Sequence, residues 1–388
     1  MLTRASFRNF KNLREVDVDL DRFTVLVGPN GAGKTSVLQG IHLLTQIGLR
    51  RVRASPNLLD DNPGGHLVRL FSGRWKPGRL VTSGQTQFRL AFAEQDTTGA
   101  PAVAVVLDVQ PGTEFGSDNF SLELSDEPGG PISWGASHAG DPAVLSSRRL
   151  QRLRAAVYLH LDAAIMVRPS VVENETPRLA QDGAGLASVL AYLAGDHPDR
   201  KEAIEADVAA IVPWFKRVLV RNTKVPRLTT RPFAVGREAV NVPVEEEIWG
   251  HRFAVETTDG STIPADLLSE GTVLVLGLMT MLHGATAPRL LLLDDLDRAL
   301  HLGAQVRLVQ ALQKLLAGRP DLQMVATSHS PYLLQEVPAS SVRVLGLTSG
   351  GVRCRPLTSH PEYEKWKAVL GTGEIWANLG EDWLGDAA

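Results

Sequence analysis

The sequence predicts an α/β protein: a mixed, largely parallel sheet, with an antiparallel β lobe and a helical subdomain inserted between the two halves of its sheet. Three observations carry that reading. An apolar run at Phe23–Val27 passes through a glycine-rich turn into a helical pattern. From 268 to 347, short apolar strands alternate with helical segments, as in a parallel sheet covered on both faces. Between Gln85 and Leu124 the apolar period is two, the pattern of an antiparallel sheet.

Taken in order, Phe23 to Val27 is the first buried strand, and Gly28 to Gly33 is a loop. Lys34 to Gln46 carries Val37, Leu38, Ile41 and Leu44 at helical spacing. Ser55 to Gly65 is polar and rich in turn formers, hence a loop. Phe88, Leu90 and Phe92 alternate with polar neighbours, as do Phe120, Leu122 and Leu124, with Val103 to Val109 between them. The Gly/Pro-rich stretch 126–144 reads as a long loop. Helices are expected over 146–161, 185–194 and 199–212, the last two stopped by Gly195 and Pro213. The final α/β run gives strands at 290–293, 323–326 and 342–345, with helices at 301–316 and 332–335 between them. The expected division is 1–144 for the first part of the sheet domain with its β lobe, 145–225 for the helical insert, 226–350 for the second part and 351–388 for a tail.

Of 388 residues, 44% are hydrophobic and 21% charged, which excludes a fibrous or wholly disordered chain. The net charge of −3 means that affinity for nucleic acid must come from local patches. Cys354 is the only cysteine, so there is no internal disulfide or cysteine-built metal site. Met1 to Ser6 run into polar sequence without a signal-like apolar segment. The most apolar stretch, Thr272 to Leu293, is broken by His283, Pro288 and Arg289 and does not suit a bilayer span. A soluble, cytoplasmic protein is expected.

Gly28-Pro29-Asn30-Gly31-Ala32-Gly33-Lys34-Thr35 fits G-x-x-x-x-G-K-[ST] between a strand and a helix. Glycines let successive amides turn toward a phosphate, and the helix N-terminus adds partial positive charge. Lys34 supplies a mobile charge for outer phosphates, and the Thr35 hydroxyl suits Mg2+. Leu290 to Leu293 end in Asp294 and Asp295, at the sheet edge where open α/β folds bind ligands. Asp294 would hold Mg2+, and Asp295 would orient or deprotonate an attacking water. The rival reading of Asp295-Leu296-Asp297 is a nuclease metal pair, but no further acidic strand end supplies the other ligands such a site needs. Ser269 before Glu270-Gly271 is by itself an ordinary helix cap, and His329 by itself is an ordinary loop histidine.

Together these segments resemble a family. Phe7 to Leu13, the run Val25 to Thr35, Leu268 to Gly271, Leu291 to Asp295 and Thr327 to Pro331 resemble ABC-type ATPases of the RecF, SMC and OLD-nuclease kind, and more narrowly the compact bacterial AAA family ATPases of genome maintenance and anti-phage defence. Arg168-Pro169-Ser170, Pro177, Asp182-Gly183, Leu186-Ala187 and Ile211 to Pro213 look like the helical insert of that compact group. The resemblance implies a P-loop ABC-ATPase head with ATP and Mg2+ as cofactors. Pro29, Asn30, Gly31, Ala32, Gly33, Lys34, Thr35 and Ser36 would hold the phosphates, and Thr35 with Asp294 the metal. Asp295 would take the place of the catalytic carboxylate. Ser269 and Gly271 would match the signature that meets a partner subunit's ATP, and His329 the switch histidine. A homodimer closed around two ATP molecules follows, with ATP state controlling DNA association or a separate effector protein, in repair or phage defence.

Two departures matter. The catalytic position usually holds Glu, and Asp295 is one methylene shorter; a shift of about 1 Å at a reacting centre can lower a rate about a hundredfold. Slow hydrolysis is expected, with a nucleotide-gated scaffold as the alternative. The signature reads Ser-Glu-Gly instead of Ser-Gly-Gly. Neither a long coiled coil nor an appended nuclease domain is expected, and the polar insert counts against a membrane transporter.

Basic residues cluster at Lys216, Arg217, Arg221, Lys224, Arg227, Arg231 and Arg237, with further clusters at Arg148, Arg149, Arg152 and Arg154 and at Arg50, Arg51 and Arg53. Each is either a surface tracking DNA phosphates or a solvated face paired with acids such as Glu245-Glu246-Glu247. Trp366, Trp376 and Trp383 either pack the tail or offer a docking surface.

Overall fold

In the computed structural model the described residues are 1–47, 88–94, 103–110, 119–124, 132–135, 156–172, 174–235, 238–284 and 287–385. In chain order the first strands are β1 (Leu2–Phe10), β2 (Leu13–Asp19), β3 (Phe23–Val27), β4 (Phe88–Glu94), β5 (Val103–Gln110), β6 (Asn119–Leu124), β7 (Ile132–Gly135) and β8 (Ala156–Leu159). The rest are β9 (Phe215–Val235), β10 (Glu238–Thr257), β11 (Thr262–Pro264), β12 (Leu290–Leu293), β13 (Gln323–Thr327), β14 (Val342–Thr348) and β15 (Gly351–Pro356). Two compact units result: Met1–Tyr158 with Pro288–Asp297 and Leu312–Ala388, and Leu159–Ala287 with Arg298–Ala311.

The central sheet of the first unit has the order β15-β14-β3-β13-β12-β8. β14, β3, β13 and β12 are parallel, and β15 returns antiparallel to β14. Every residue of β3, β12 and β13 is buried, which is why these segments read as largely apolar runs without alternation. Leu293 pairs with Ala326, and Thr327 with Leu26, so the three strands end side by side. That alignment sets the site.

A second sheet, β2-β1-β4-β5-β6-β7, is antiparallel throughout. Phe7, Phe10 and Leu13 of its first hairpin share one buried apolar cluster with Val37, Leu38 and Ile41 of the helix Lys34–Ile47 and with Leu292 and Val325 of the central sheet. Each such side chain contributes about 1.5–3 kcal/mol by leaving water. Gln323 clips the two sheets together, its Nε2 donating to the Leu2 carbonyl at 2.7 Å and its Oε1 accepting from the Leu2 amide at 2.9 Å.

In the second unit, the helices Pro198–Ile211 and Glu270–His283 pack together, with His283 Nε2 and Asp207 Oδ2 2.7 Å apart. β9 and β10 form a long antiparallel hairpin, with β11 on its edge.

Helices Lys34–Ile47, Leu186–Asp196, Pro198–Ile211, Leu302–Gly318 and Pro331–Leu334 fall where periodicity places them. Three expectations differ from the structure, the first being the helical insert at 145–225, whose end is the start of strand β9 at Phe215. Residues 156–159 are strand β8 instead of the end of a helix: Ala-Val-Tyr-Leu is a β-prone segment seated at the edge of the central sheet. Ile132–Gly135, expected within a loop, is strand β7, paired with β6. The expected loop at 55–65 and the clusters Arg50, Arg51, Arg53 and Arg148, Arg149, Arg152, Arg154 lie outside the described residues, as does Arg237.

The tail packs on the first unit, where the Gly373 amide donates to Gln335 Oε1 at 2.8 Å. Trp383 and Leu384 are buried, with His360 edge-on to Trp383 at 5.1 Å, and Trp366 Nε1 donates to Glu362 Oε2 at 3.1 Å. Among the described residues no helix is long and apolar enough to cross a membrane.

Candidate functional site

Every group of the main candidate site sits where β3, β13 and β12 end. The buried β3 delivers the chain to Gly28, whose backbone has φ +142° and where a Cβ would stand 2.0 Å from the Leu345 carbonyl oxygen. Only glycine fits so close to β14. The loop is braced from the β1–β2 turn, where Asn12 Nδ2 donates to the Gly31 carbonyl at 2.8 Å. The Ala32 amide donates to the Pro29 carbonyl at 3.2 Å, and the Val37 amide to the Gly33 carbonyl at 2.9 Å as the helix begins. Lys34 is buried, its Nζ donating to the carbonyls of Gly28 at 2.8 Å and Pro29 at 3.0 Å. Burial draws its ammonium below the usual lysine range, opposed by the carboxylates of Asp295, Asp294, Asp297 and Glu381.

Asp294 is held by three hydroxyls. Thr35 Oγ1 donates to its Oδ1 at 3.1 Å, Thr327 Oγ1 donates to the same oxygen at 2.8 Å, and the Tyr158 hydroxyl donates to Oδ2 at 3.1 Å. Burial, then Asp294, pushes the Tyr158 phenol upward, so it stays a donor. Thr327 also accepts from the Asp295 amide at 2.8 Å. Asp295 has φ +51°, a left-handed backbone that Asp adopts more readily than most residues. Its carboxyl is raised above the usual range by burial, then by Asp294 and Asp297, and eased by His329 and Lys34. A carboxylate made more basic in this way is better suited to take a proton from water.

His329 is exposed in the loop after β13, and its amide donates to Asp297 Oδ1 at 3.2 Å. Ser330 caps the short helix Pro331–Leu334. Ser269 and Gly271 belong to the second unit. Ser269 is the N-cap of the helix Glu270–His283, its Oγ accepting from the Thr272 amide at 3.4 Å and lying 2.8 Å from Thr272 Oγ1. A Cβ on Gly271 would stand 2.4 Å from the Ala299 carbonyl oxygen, and Glu270 pairs with Arg298 at 2.9 Å.

Thr327, Tyr158 and Asn12 join the site although sequence reasoning gave none of them a role in it. Thr327 and Asn12 lie in quoted motif segments, so adjacency is the signal that could have found them. Tyr158 carries none.

The residues fit a nucleotide with Mg2+. Thr35 and Asp294 form a pair of hard oxygen donors, and the glycine-rich turn beside them carries a buried ammonium and leads into the start of a helix. Among the described residues, no group of three or more His, Cys, Asp or Glu is arranged to hold a metal.

Fold and site define a class, the ABC-type ATPase heads of the RecF, SMC and OLD kind. The chain is similar to the ATPase domains of this class. Residues 145–335 match the AAA_21 family model, an AAA domain whose description names an AbiEii toxin and a Type IV TA system, and residues 1–59 match AAA_15, an AAA ATPase domain. The chain is similar to the DNA replication and repair protein RecF of Geobacter metallireducens, 37% identical over 81 residues, covering 21% of this chain and 22% of the relative. It is 48% identical over 44 residues to the OLD nuclease of Thermus scotoductus, covering 11% of this chain and 8% of the relative. RecF of Pseudomonas syringae pv. tomato is 28% identical over 240 residues, 59% of each chain. The chain therefore spans well under two thirds of these relatives. A crystal structure of an SMC head bound to the C-terminal winged-helix domain of ScpA shares the fold, with TM-score 0.54 and 12% identity over 91% of this chain and 96% of that one.

The basic cluster lies on the hairpin and is largely paired with acids. Lys216 and Arg217 meet Glu256 at 2.6 and 2.7 Å, Lys224 meets Glu247 at 2.9 Å, and Arg231 pairs with Glu246.

Proposed function

We propose that the chain binds ATP with Mg2+ at residues 29–36 and hydrolyses it slowly, and that ATP closes a homodimer whose state controls contact with DNA and with a separate effector protein. The observation that carries the site is the Thr35–Asp294 contact at 3.1 Å, which brings the phosphate turn and the strand-end carboxylate to one point. Amides of the turn and the start of the Lys34–Ile47 helix would bind the phosphates, and Lys34 would swing from the loop carbonyls to the outer phosphate oxygens. Thr35 and Asp294 would hold Mg2+, which when bound neutralises charge on the phosphates. Asp295 would orient the attacking water and accept its proton, helped by its raised carboxyl. His329 would lie beside the outer phosphate, while Ser269 and Gly271 of a second copy would cover it. The DNA role draws on the RecF relatives and the basic hairpin, with Lys216, Arg217, Arg221, Lys224, Arg227 and Arg231 as candidate contacts to the DNA backbone. A setting in repair or phage defence is part of the proposal.

The test compares ATP turnover and self-association for the wild type, Lys34→Ala and Asp295→Ala. Turnover should be lost in both variants, and ATP-driven pairing in the first. Equal turnover in all three would refute the site. A scaffold gated by ATP occupancy is the second reading, favoured by the short Asp295 side chain on a left-handed backbone. It gives a single-turnover burst where the first gives repeated cycles. The Asp295/Asp297 nuclease reading has less support, since Asp297 Oδ1 accepts the His329 amide.

A further inference from the structure

We propose that Arg221 and Arg252 form a two-guanidinium clamp for phosphates of a nucleic-acid backbone, and that this pair, rather than the basic cluster as a whole, is where the hairpin holds DNA. The inference rests on the DNA-contact part of the proposed function and narrows it to two residues, one of them outside the cluster. Arg221 on β9 stands directly opposite Arg252 on β10, so the two side chains rise from one face of the ribbon with Cβ atoms about 4.5–5.5 Å apart. Both are exposed.

Their surroundings set them apart. Lys216, Arg217, Lys224 and Arg231 each have a glutamate partner, and Glu246 lies directly opposite Arg227. The guanidinium groups of Arg221 and Arg252 have no hydrogen-bonding or ionic partner among the described residues. Like charges directly opposite in a hairpin destabilise it, so on folding grounds this pair is a poor choice. An anion between the two side chains turns that repulsion into attraction.

The residue type narrows the ligand. Two planar guanidinium forks match the oxygens of a phosphodiester and stay charged at any physiological pH. Neighbouring pairs on the same face, Thr223 with Gly250 and Leu219 with Ala254, add no negative charge. Binding through phosphates alone reads no sequence and weakens steeply with salt. A duplex backbone is favoured over an acidic peptide because the proposed function already brings DNA to this hairpin, and a duplex can present its phosphates at one point without following the glutamates along the ribbon.

The experiment measures binding of a fluorescent duplex of about 30 base pairs to the full-length protein across a salt series, with and without ATP. The proteins are the wild type, the double variant Arg221→Gln/Arg252→Gln, and Lys224→Gln as a paired-base control. The double variant should lose about tenfold in affinity at moderate salt, and its salt slope should fall by about 2. The control should change less than about twofold, while ATP binding stays unchanged and the double variant melts no lower than wild type. If wild type binds DNA and the double variant binds equally well, the clamp is wrong and the DNA role stands. If wild type binds no DNA in either nucleotide state, the DNA role itself fails and the clamp with it. If poly-glutamate binds, through these arginines, where DNA does not, the nucleic-acid assignment is overturned.

Discussion

The Thr35 hydroxyl donates to Oδ1 of Asp294 at 3.1 Å, although 259 positions separate the two residues. Sheet order makes this possible. β13 lies between β3 and β12, the three end at the same level, and Thr327 at the tip of β13 donates to the same carboxylate oxygen at 2.8 Å. The site is thus positioned by buried strands, whose register sets both residues at the same edge of the sheet.

Asp295 should trade stability for chemistry. Its carboxyl is raised by burial and by Asp294 and Asp297, so the folded state binds its proton more tightly than the unfolded chain does. Stability is therefore lost as pH rises from the ordinary carboxylate range through the raised value. Asn accepts the same left-handed backbone without the charge. Asp295→Asn should melt higher than wild type at neutral pH, lose that gain as pH falls toward about 4, and hydrolyse ATP at least about a hundredfold more slowly. Thermal melts across pH, beside turnover assays, check both halves. A variant less stable at neutral pH would contradict the electrostatic account.

Tyr158 should act through Asp294. Its hydroxyl is the donor to Oδ2, the oxygen that neither threonine holds. Phe keeps the ring's packing against His42, whose centroid is 5.4 Å away, and removes the donor. Tyr158→Phe should cost about 1 kcal/mol in stability. It should also raise the Mg2+ concentration needed for half-maximal turnover about tenfold or more, with metal-free nucleotide affinity unchanged. An unaltered Mg2+ requirement would make the tyrosine a packing residue only.

What was legible in the sequence and what was not divide along physical lines. Parallel strands buried on both faces read as apolar runs, so Phe23–Val27, Leu290–Leu293 and 323–326 are legible, and the motif residues at their ends with them. The hairpin was invisible. Pro226, Pro232 and Pro243 lie within its strands and charged residues replace the usual alternation, so local propensity argues against strand. Tyr158 was missed for a related reason: β8 is four residues long, its neighbourhood mimics a helical period, and its strand state comes from its place beside β12. Charge pairing across the hairpin depends on register, so the sequence showed the basic residues but not which of them glutamates neutralise.

Lys11 should give the protein a pH-dependent stability with a defined window. It sits in the β1–β2 turn at φ +53°, its Nζ hydrogen-bonded to Gln39 Oε1, and burial draws its amine down to about 7. Between about 7 and the ordinary lysine value near 10.4, the unfolded chain holds a proton that the folded chain has released. Stability therefore rises with pH across that window, by at most about 1.4 kcal/mol per unit. Lys11→Met keeps the apolar stem and removes the titration. Above about pH 7, where the folded amine is neutral, its lost hydrogen bond shifts stability by a constant amount, so the slope there is the diagnostic quantity. Denaturant midpoints between pH 6 and 10 should climb for wild type and stay flatter for the variant; parallel curves would show that Lys11 is not the titrating group.

Ser269 combines a folding role with the proposed one, and two substitutions separate them. Its hydroxyl caps the helix Glu270–His283 by accepting from the Thr272 amide. Ser269→Ala removes that acceptor and should cost about 1 kcal/mol, whereas Ser269→Asp preserves a good cap and should melt near wild type. If the serine of one copy covers the outer phosphate bound by another, the aspartate's charge repels it. Ser269→Asp should then bind ATP normally as a monomer yet fail to self-associate when ATP is added. Light scattering with and without ATP and Mg2+ reads this directly. A capped, stable aspartate variant that still pairs on ATP would confine Ser269 to the helix end and remove it from the nucleotide interface.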